Sequence, residues 1–470
     1  MREPDLDAKF TVDGVWWLPE RPSVKVPGTL LVEGGRDTRL KLFGVLGDPI
    51  PNSSSGLRRF PIILGISDRE EPCTLANTCE MGRSAEPSRQ TVPTTELSTN
   101  RLYIGKHFPA ASDVRFTSVD VGFTNLERWV GWGPFKGFFP ASGIELRIEQ
   151  PDLCRSVLDF VDSARSATLS IWSRVSATIS LSEFGADYKV YLRVTPSAPS
   201  TLEWFLDYLF DARNLFTLLI GSPVYIETMT GFGDQVEYAP DVKRPEDVSI
   251  YFNMMPRPKT DPASPNDMPV RFESIRERAG EVFQAWFSNA QRLRLVCELF
   301  FGAQYNPQMY AESKFLNYTQ ALEVFHRVTR PRIYVPDEEY ERYRQALEAA
   351  IPAEVPRRLR DKLETTLRYG NQCTLRDALR ALIDSLEAYS RQRIAKNLKT
   401  FVNKVVDTRN YLTHGDECLK DKALSGFSGG EGLEEYYHVH QKLRALLTLH
   451  LLKFIGIPEP QVAYRVLRGL

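Results

Sequence analysis

The chain has no long apolar run, few cysteines and almost no net charge, and each lack removes a class of function. Its most apolar stretch, Leu215 to Ile220, is far shorter than the ~20 residues that a membrane-crossing helix needs. The opening sequence, MREPDLDAKF, carries acids where a secretory leader needs an apolar core, so a cytoplasmic protein is expected. The six cysteines (73, 79, 154, 297, 373 and 418) are too sparse and scattered for a disulfide framework. Cys73 and Cys79 form a C-x5-C pair with no second pair or histidine at zinc-finger spacing; two ordinary thiols are expected, with a metal site as the alternative. With 59 Lys and Arg against 60 Asp and Glu, the net charge is -1. Any contact with nucleic acid must therefore come from a local basic surface. No G-x-x-x-x-G-K-[ST] phosphate loop is present either. The glycine-rich Ser425 to Gly432 lacks that spacing and reads as a flexible connection or a lid, leaving nucleotide hydrolysis without support.

What is there is an ordinary globular composition, 42% hydrophobic and 25% charged. At 470 residues the chain is too long for a single core. Residues 1–197 read as a β-rich domain, 198–304 as a mixed, mainly helical middle region with a proline-rich linker at 256–269, and 305–470 as a helical bundle. The expected class is α+β and multidomain. Short apolar segments such as Thr29 to Val32, Arg39 to Val45 and Phe60 to Ile66 predict strands separated by Gly and Pro. Ile144 to Ile148, Ala177 to Leu181 and Tyr188 to Val194 alternate as antiparallel strands with one wet face do. Asp68 to Thr99, rich in Thr, Ser, Pro and Glu, predicts a long loop.

Helical spacing takes over after Pro199. Ser200 and Glu203 suggest a capping box ahead of an apolar stripe from Leu202 to Leu219. Strand-like residues return near Tyr225 and Val248 to Phe252, and a helix is expected over Ser274 to Phe301. Further helices are expected over Lys314 to Arg327, Asp337 to Ala350, Val355 to Arg368, Leu375 to Tyr389, Arg391 to Leu412 and Tyr437 to Ile455. Their short connections predict an antiparallel bundle.

The helix Arg391 to Leu412 buries Ile394, Leu398, Phe401, Val402, Val405 and Val406, and its other face is basic. Arg391, Arg393, Lys396, Lys399, Lys404 and Arg409 face a lone acid, Asp407, before His414. The following Gly415 to His438 is acidic, so an internally neutralised surface is the plain reading of the charge pattern. Five residues separate Arg409 from His414, about 140° of helix rotation and about 7.5 Å of rise. One copy therefore splays the two side chains; a symmetric copy facing it would close the gap. A histidine near neutrality can exchange a proton with an RNA 2′-hydroxyl or a leaving 5′-oxygen. An arginine fork can hold the phosphate and offset its developing charge. No metal is needed. The alternative is that both residues cap the helix end and complement its dipole.

The segment Val405-Val-Asp-Thr-Arg-Asn-Tyr-Leu-Thr-His-Gly-Asp416 resembles the R-x4-6-H signature of HEPN-domain ribonucleases, in the variant R-N-x-x-x-H. Leu322-Glu-Val-Phe-His-Arg327 is similar to the first-helix pattern of the ApeA-like HEPN subfamily. Gly14-Val-Trp-Trp-Leu-Pro19, Val26-Pro-Gly-Thr-Leu30 and Val121-Gly-Phe-Thr-Asn-Leu-Glu-Arg-Trp129 resemble the ApeA N-terminal domain. The resemblance implies an endoribonuclease with Arg409 and His414 as the catalytic pair, Asn410 as their polar companion and Glu323 as a group orienting Arg409. Glu323 also reads as a solvated residue or a plain salt bridge. Arg393, Lys396, Lys399 and Lys404 would bind the RNA, with tRNA a candidate substrate. The family implies 2′,3′-cyclic phosphate and 5′-hydroxyl ends, no cofactor, a homodimer or higher assembly, and a role in bacterial abortive infection. A non-catalytic RNA-binding or dimerisation module with a sensing N-terminal domain is the alternative.

His438 and His440 have H-x-H spacing, but on a helix they diverge by about 200°, so a metal site ranks below two helix-start histidines. Trp16, Trp17, Trp129 and Trp132 are expected to pack in the core, with an exposed subset as the alternative surface for RNA bases or a phage-derived trigger.

Overall fold

The computed structural model describes residues 5–34, 38–47, 58–84, 93–131, 135–138, 145–148, 154–179, 184–239, 242–254, 257–258, 261–330, 334–424 and 430–470. The chain forms a β-rich N-terminal domain followed by an all-α C-terminal region. It divides into two compact units, one of residues 1–216, 224–266 and 271–280, the other of 217–223, 267–270 and 281–470.

Six strands open the first unit: β1 (Lys9–Trp17), β2 (Val26–Glu33), β3 (Thr38–Leu42), β4 (Arg59–Ser67), β5 (Pro72–Ser84) and β6 (Thr94–Ile104). They pair antiparallel in the order β6-β3-β2-β1-β4-β5, and β5 pairs back onto β6. The ring is a closed barrel, which leaves no free edge. Its interior is apolar, with Trp16, Leu30, Leu42, Ile63, Leu75 and Leu102 among the buried residues. Gly65 is required there, since a Cβ would stand 2.3 Å from the Trp16 ring.

The expected loop over 68–99 is corrected: β5 and the start of β6 are ladder strands, while residues 85–92 lie outside the described residues. Their threonines misled the composition. Thr74, Thr78, Thr95 and Thr99 are buried, and each hydroxyl has a partner, such as Thr99 Oγ1 donating to the Ala76 carbonyl at 2.9 Å.

The sheet then continues beyond the barrel. A two-residue β7 (Arg115–Phe116) precedes β8 (Ser118–Phe123), α1 (Leu126–Val130) and the hairpin β9 (Phe135–Phe138) and β10 (Glu145–Ile148). Long strands β11 (Cys154–Asp162), β12 (Ala167–Ile179) and β13 (Phe184–Pro196) follow, then β14 (Ser200–Thr201) and α2 (Leu202–Ile220). With β15 (Ile226–Ala239) and β16 (Val242–Phe252), the added order is β11-β12-β13-β8-β15-β16-β6. Ser200, expected to cap the helix, lies in β14, and its hydroxyl donates to the Ala198 carbonyl at 3.0 Å. Ser200 and Thr201 instead pair with Phe116 and Arg115, and Glu203 binds Arg101 at 2.5 Å. Trp16, Trp17 and Trp129 are buried, the latter against Phe216 and Phe272; Trp132 lies outside the described residues.

The remaining helices are α3 (Phe272–Ile275), α4 (Ala279–Tyr305), α5 (Ala311–Thr329), α6 (Asp337–Ala349), α7 (Arg357–Arg368), α8 (Leu375–Asp384), α9 (Ala388–Ile394), α10 (Leu398–His414), α11 (Gly430–Phe454) and α12 (Glu459–Val466). The second unit is a bundle in which α5 packs on α8, α10 and α11. Its centre is Phe315, Leu322, Leu379, Val405, Leu443 and Leu446, all almost fully buried.

Two expected helices are corrected. The one over Leu375 to Tyr389 ends at Asp384, and the one over Arg391 to Leu412 is broken at residues 395–397. The Ala395 backbone is extended there, and the Asn397 side chain accepts from the Thr400 amide at 3.0 Å, capping a new helix. Glycine-rich residues 425–429 lie outside the described residues, and α11 starts at Gly430, earlier than the expected Tyr437.

Candidate active site

The geometry of α10 follows from its sequence. Val402, Val405 and Val406 form its packed face against α5 and α8. On the helical wheel Arg409 falls in line with that face, within about 60° of Val402 and Val406. It is half-buried, and its Nη1 donates to Asn410 Oδ1 at 3.1 Å. His414 is the last residue of α10 and is exposed. Gly415 ends the helix in the left-handed region at φ 64°, its amide donating to the Tyr411 carbonyl at 2.8 Å. His414 falls instead on a polar stripe with Asn403, Asp407 and Asn410. The two motif residues therefore leave the helix on different sides.

Arg409 opens into a cleft of about 470 Å³ between α5, α8 and α10. Leu316, Val324 and Leu375 line its apolar part; Gln320, Glu323, Arg327 and Thr413 supply polar groups around Arg409. Glu323 thus shares the cleft with Arg409, but its carboxylate pairs with Arg327 Nη2 at 3.1 Å. Arg327 is the residue that sequence reasoning passed over. The signal was available in the stripe Leu316, Gln320, Glu323 and Arg327, which runs along one face of α5 at helical spacing.

The basic residues expected to bind RNA do not gather at this cleft. Lys399 is exposed in the first turn of α10, about 22 Å along the axis from His414. Lys396 is exposed in the break before it. Arg393, at the end of α9, donates to the Leu470 carbonyl. Lys404 is half-buried and pairs with Glu435 at 3.5 Å. A further cation joins the group at the break: burial, with Lys396 and Arg393 nearby, holds the Lys442 ammonium below the usual lysine range.

The histidines of α11 separate as helix geometry requires. His438 is exposed and His440 is buried, and burial pushes the latter down to about 4, with Lys314 and Arg444 adding to the effect. Among the described residues no three His, Cys, Asp or Glu converge as a metal site. Cys73 and Cys79 lie six residues apart along β5, about 20 Å in an extended strand, which is too far to share an ion.

The ApeA N-terminal domain 1 family model matches residues 11–286, more than half of the chain, and the Apea-like HEPN model matches 316–461. The chain belongs to the ApeA-like HEPN family. The HEPN match begins in α5 and ends in α12, so the cleft and all of its lining, together with the Arg409 to His414 motif, fall inside the family's helical domain. The N-terminal pieces that resemble ApeA fall in β1, β2 and the β8–α1 segment, all within the other match. This architecture is that of an ApeA-type HEPN protein and is consistent with a nuclease-like function. No curated protein and no solved structure matches the chain. Among the described residues no helix is long and apolar enough to cross a membrane.

Proposed function

We propose that this chain is a metal-independent endoribonuclease with Arg409 and His414 as its catalytic pair. One observation carries the reading: both groups stand at the same end of α10, Arg409 in a cleft with polar groups of α5 around it and tied to Asn410, His414 exposed. In the proposed reaction a ribose 2′-oxygen attacks the adjacent phosphorus, the P–O2′ bond forms and the P–O5′ bond breaks. The products are a 2′,3′-cyclic phosphate and a 5′-hydroxyl. Arg409 binds the non-bridging oxygens as charge builds on them. The imidazole of His414 takes the 2′ proton or returns one to the leaving 5′-oxygen. Within one chain His414 leaves α10 about 140° around the helix from Arg409, so a facing copy would bring its own His414 to each Arg409 cleft. Asn410 positions Arg409, and Glu323 acts through Arg327.

Structured RNA, with tRNA as first candidate, is the proposed substrate, and growth arrest of a phage-infected cell the proposed outcome. The test is incubation of the pure protein with total tRNA, with and without chelator, and with the His414→Ala variant. Discrete fragments bearing cyclic phosphate ends, unaffected by chelation and reduced at least ~100-fold in the variant, are expected. Cleavage by His414→Ala at the parental rate sinks the assignment. A second reading, a non-catalytic RNA-binding module, draws on the cations Arg393, Lys396, Lys399 and Lys442 lying far from His414. Bound but intact tRNA would select it.

A further inference from the structure

Helices α6 and α7 are the exception in an otherwise well-buried bundle. They pack on each other through the turn at residues 350–356, yet no residue of either is buried. Each nevertheless carries an apolar ladder at i, i+4 spacing. Tyr343 and Leu347 on α6 are 50% and 51% exposed; Leu359 and Leu363 on α7 are 49% and 38% exposed. Since the helices run antiparallel, Leu347 stands level with Leu359 near the tip, and Tyr343 level with Leu363 at mid-length. The hairpin is not loose at its base. The buried Asn371 accepts from the Tyr334 and Val335 amides, both at 3.1 Å, and donates to the Val335 carbonyl at 2.9 Å. An ordered amphipathic hairpin with two half-open apolar ladders has the form of half a four-helix core.

Charge identifies the other half. The base of the hairpin opens α6 with Asp337, Glu338 and Glu339, facing Arg368. The tip opens α7 with Arg357, Arg358 and Arg360, facing Glu348 and Glu354. Arg360 donates to the Pro352 carbonyl at 2.7 Å and so ties down the turn, but Arg357 and Arg358, in the first turn, oppose the helix dipole, and the stability of α7 gives no reason for those two. A two-fold axis through the level of Tyr343 and Leu363 would lay a second hairpin antiparallel, with each basic tip on the other's acidic base. The midpoint of α6 is Tyr343 itself, so tip and base lie about 9 Å to either side and meet in register. The opposite orientation would set tip on tip and repel.

We propose that the α6–α7 hairpin is a self-association surface, occupied by the same hairpin of a second copy of this chain in an antiparallel four-helix arrangement. The patch is isologous, as a closed two-fold pairing requires. Neither helix contributes to the cleft around Arg409, so the two surfaces are separable.

The test uses the full chain and two charge-reversed variants, Arg357→Glu/Arg358→Glu and Glu338→Lys/Glu339→Lys, with mass measured by light scattering over micromolar concentrations. Arg357, Arg358 and Glu338 are exposed, while Glu339 is half-buried and accepts from the Tyr343 hydroxyl at 2.6 Å, so a cooperative thermal transition well above the temperature of the measurement serves as the control for folding. Each variant alone should associate at least about tenfold more weakly, halving its apparent mass where the parent is paired. An equimolar mixture should recover the parental mass, because each altered tip then meets a complementary base. Added salt should weaken the parental association, since these pairs are exposed. A parent chain that stays monomeric, variants that keep the parental mass, or a mixture that fails to recover it overturns the proposal.

Discussion

At the scale of single residues, the motif is held in place by groups that do no chemistry. Thr408 is fully buried; its Oγ1 donates to the Lys404 carbonyl at 2.7 Å and accepts from the Leu424 amide at 2.9 Å. That second bond ties the chain after the motif back onto α10. Thr408→Val keeps the volume but leaves the buried Leu424 amide without a partner, so a loss of roughly 1–3 kcal/mol is expected. Thermal denaturation of the variant checks it, and an unchanged midpoint would show the tie to be idle. Gly415 is the other such position. At φ 64° an alanine is strained although nothing lies within 4 Å of its Cβ, so Gly415→Ala should cost about 1 kcal/mol and Gly415→Asn less. Both variants should loosen the end of α10 and lower cleavage more than they lower the melting temperature.

At the scale of elements, what the sequence made legible depended on whether local chemistry decided the outcome. The start of α8 is set by Thr374 and Asp377, which form a capping box, and α6 begins at Asp337 directly after Pro336. The break before α10 was hidden because Ile394 and Leu398 keep helical spacing across it, while the Asn397 cap acts without disturbing that stripe. Strands β5 and β6 were hidden for the opposite reason. Their pairing closes a barrel, and their threonines look like loop residues until non-local partners bury them. Within the site, the shared motif end of α10 and the α5 stripe that carries Arg327 were legible, whereas the cleft between them required the packing of α5. The same packing makes the bundle acid-sensitive. Burial, with Arg330 adding to it, pushes His450 down to about 4, and its Nε2 lies 3.0 Å from the Leu382 carbonyl; His440 is held down to about 4 in the same way. Both rings stay neutral in the fold, while the unfolded chain takes up protons from about 6.5 downward. Stability is therefore fully present above pH 6.5 and falls as pH drops towards 4, by roughly 3 kcal/mol for His450 alone. Melting temperature against pH should flatten over that window in His450→Gln; an identical slope would assign the acid loss to other groups.

At the scale of the molecule, the open question is whether one active centre is built from one chain or two. Arg409 lies in line with the packed face of α10, and His414 lies about 140° around the helix on the polar stripe. In the proposed reaction a phosphate held by Arg409 in its own cleft would be turned away from the same chain's imidazole, which is the reason for proposing that a facing copy supplies the histidine. The consequence can be counted. Mix Arg409→Ala and His414→Ala chains in equal amounts and let subunits exchange. Half of the random pairs are mixed, and each mixed pair has one centre with both natural residues and one with neither. About one quarter of the parental cleavage should return from two inactive proteins. A centre contained within one chain returns nothing, because every chain in the mixture lacks one of its two groups. Repeating the mixture with a chain carrying both substitutions in place of either partner should abolish the recovery, which ties any regained activity to the shared centre rather than to stabilised protein.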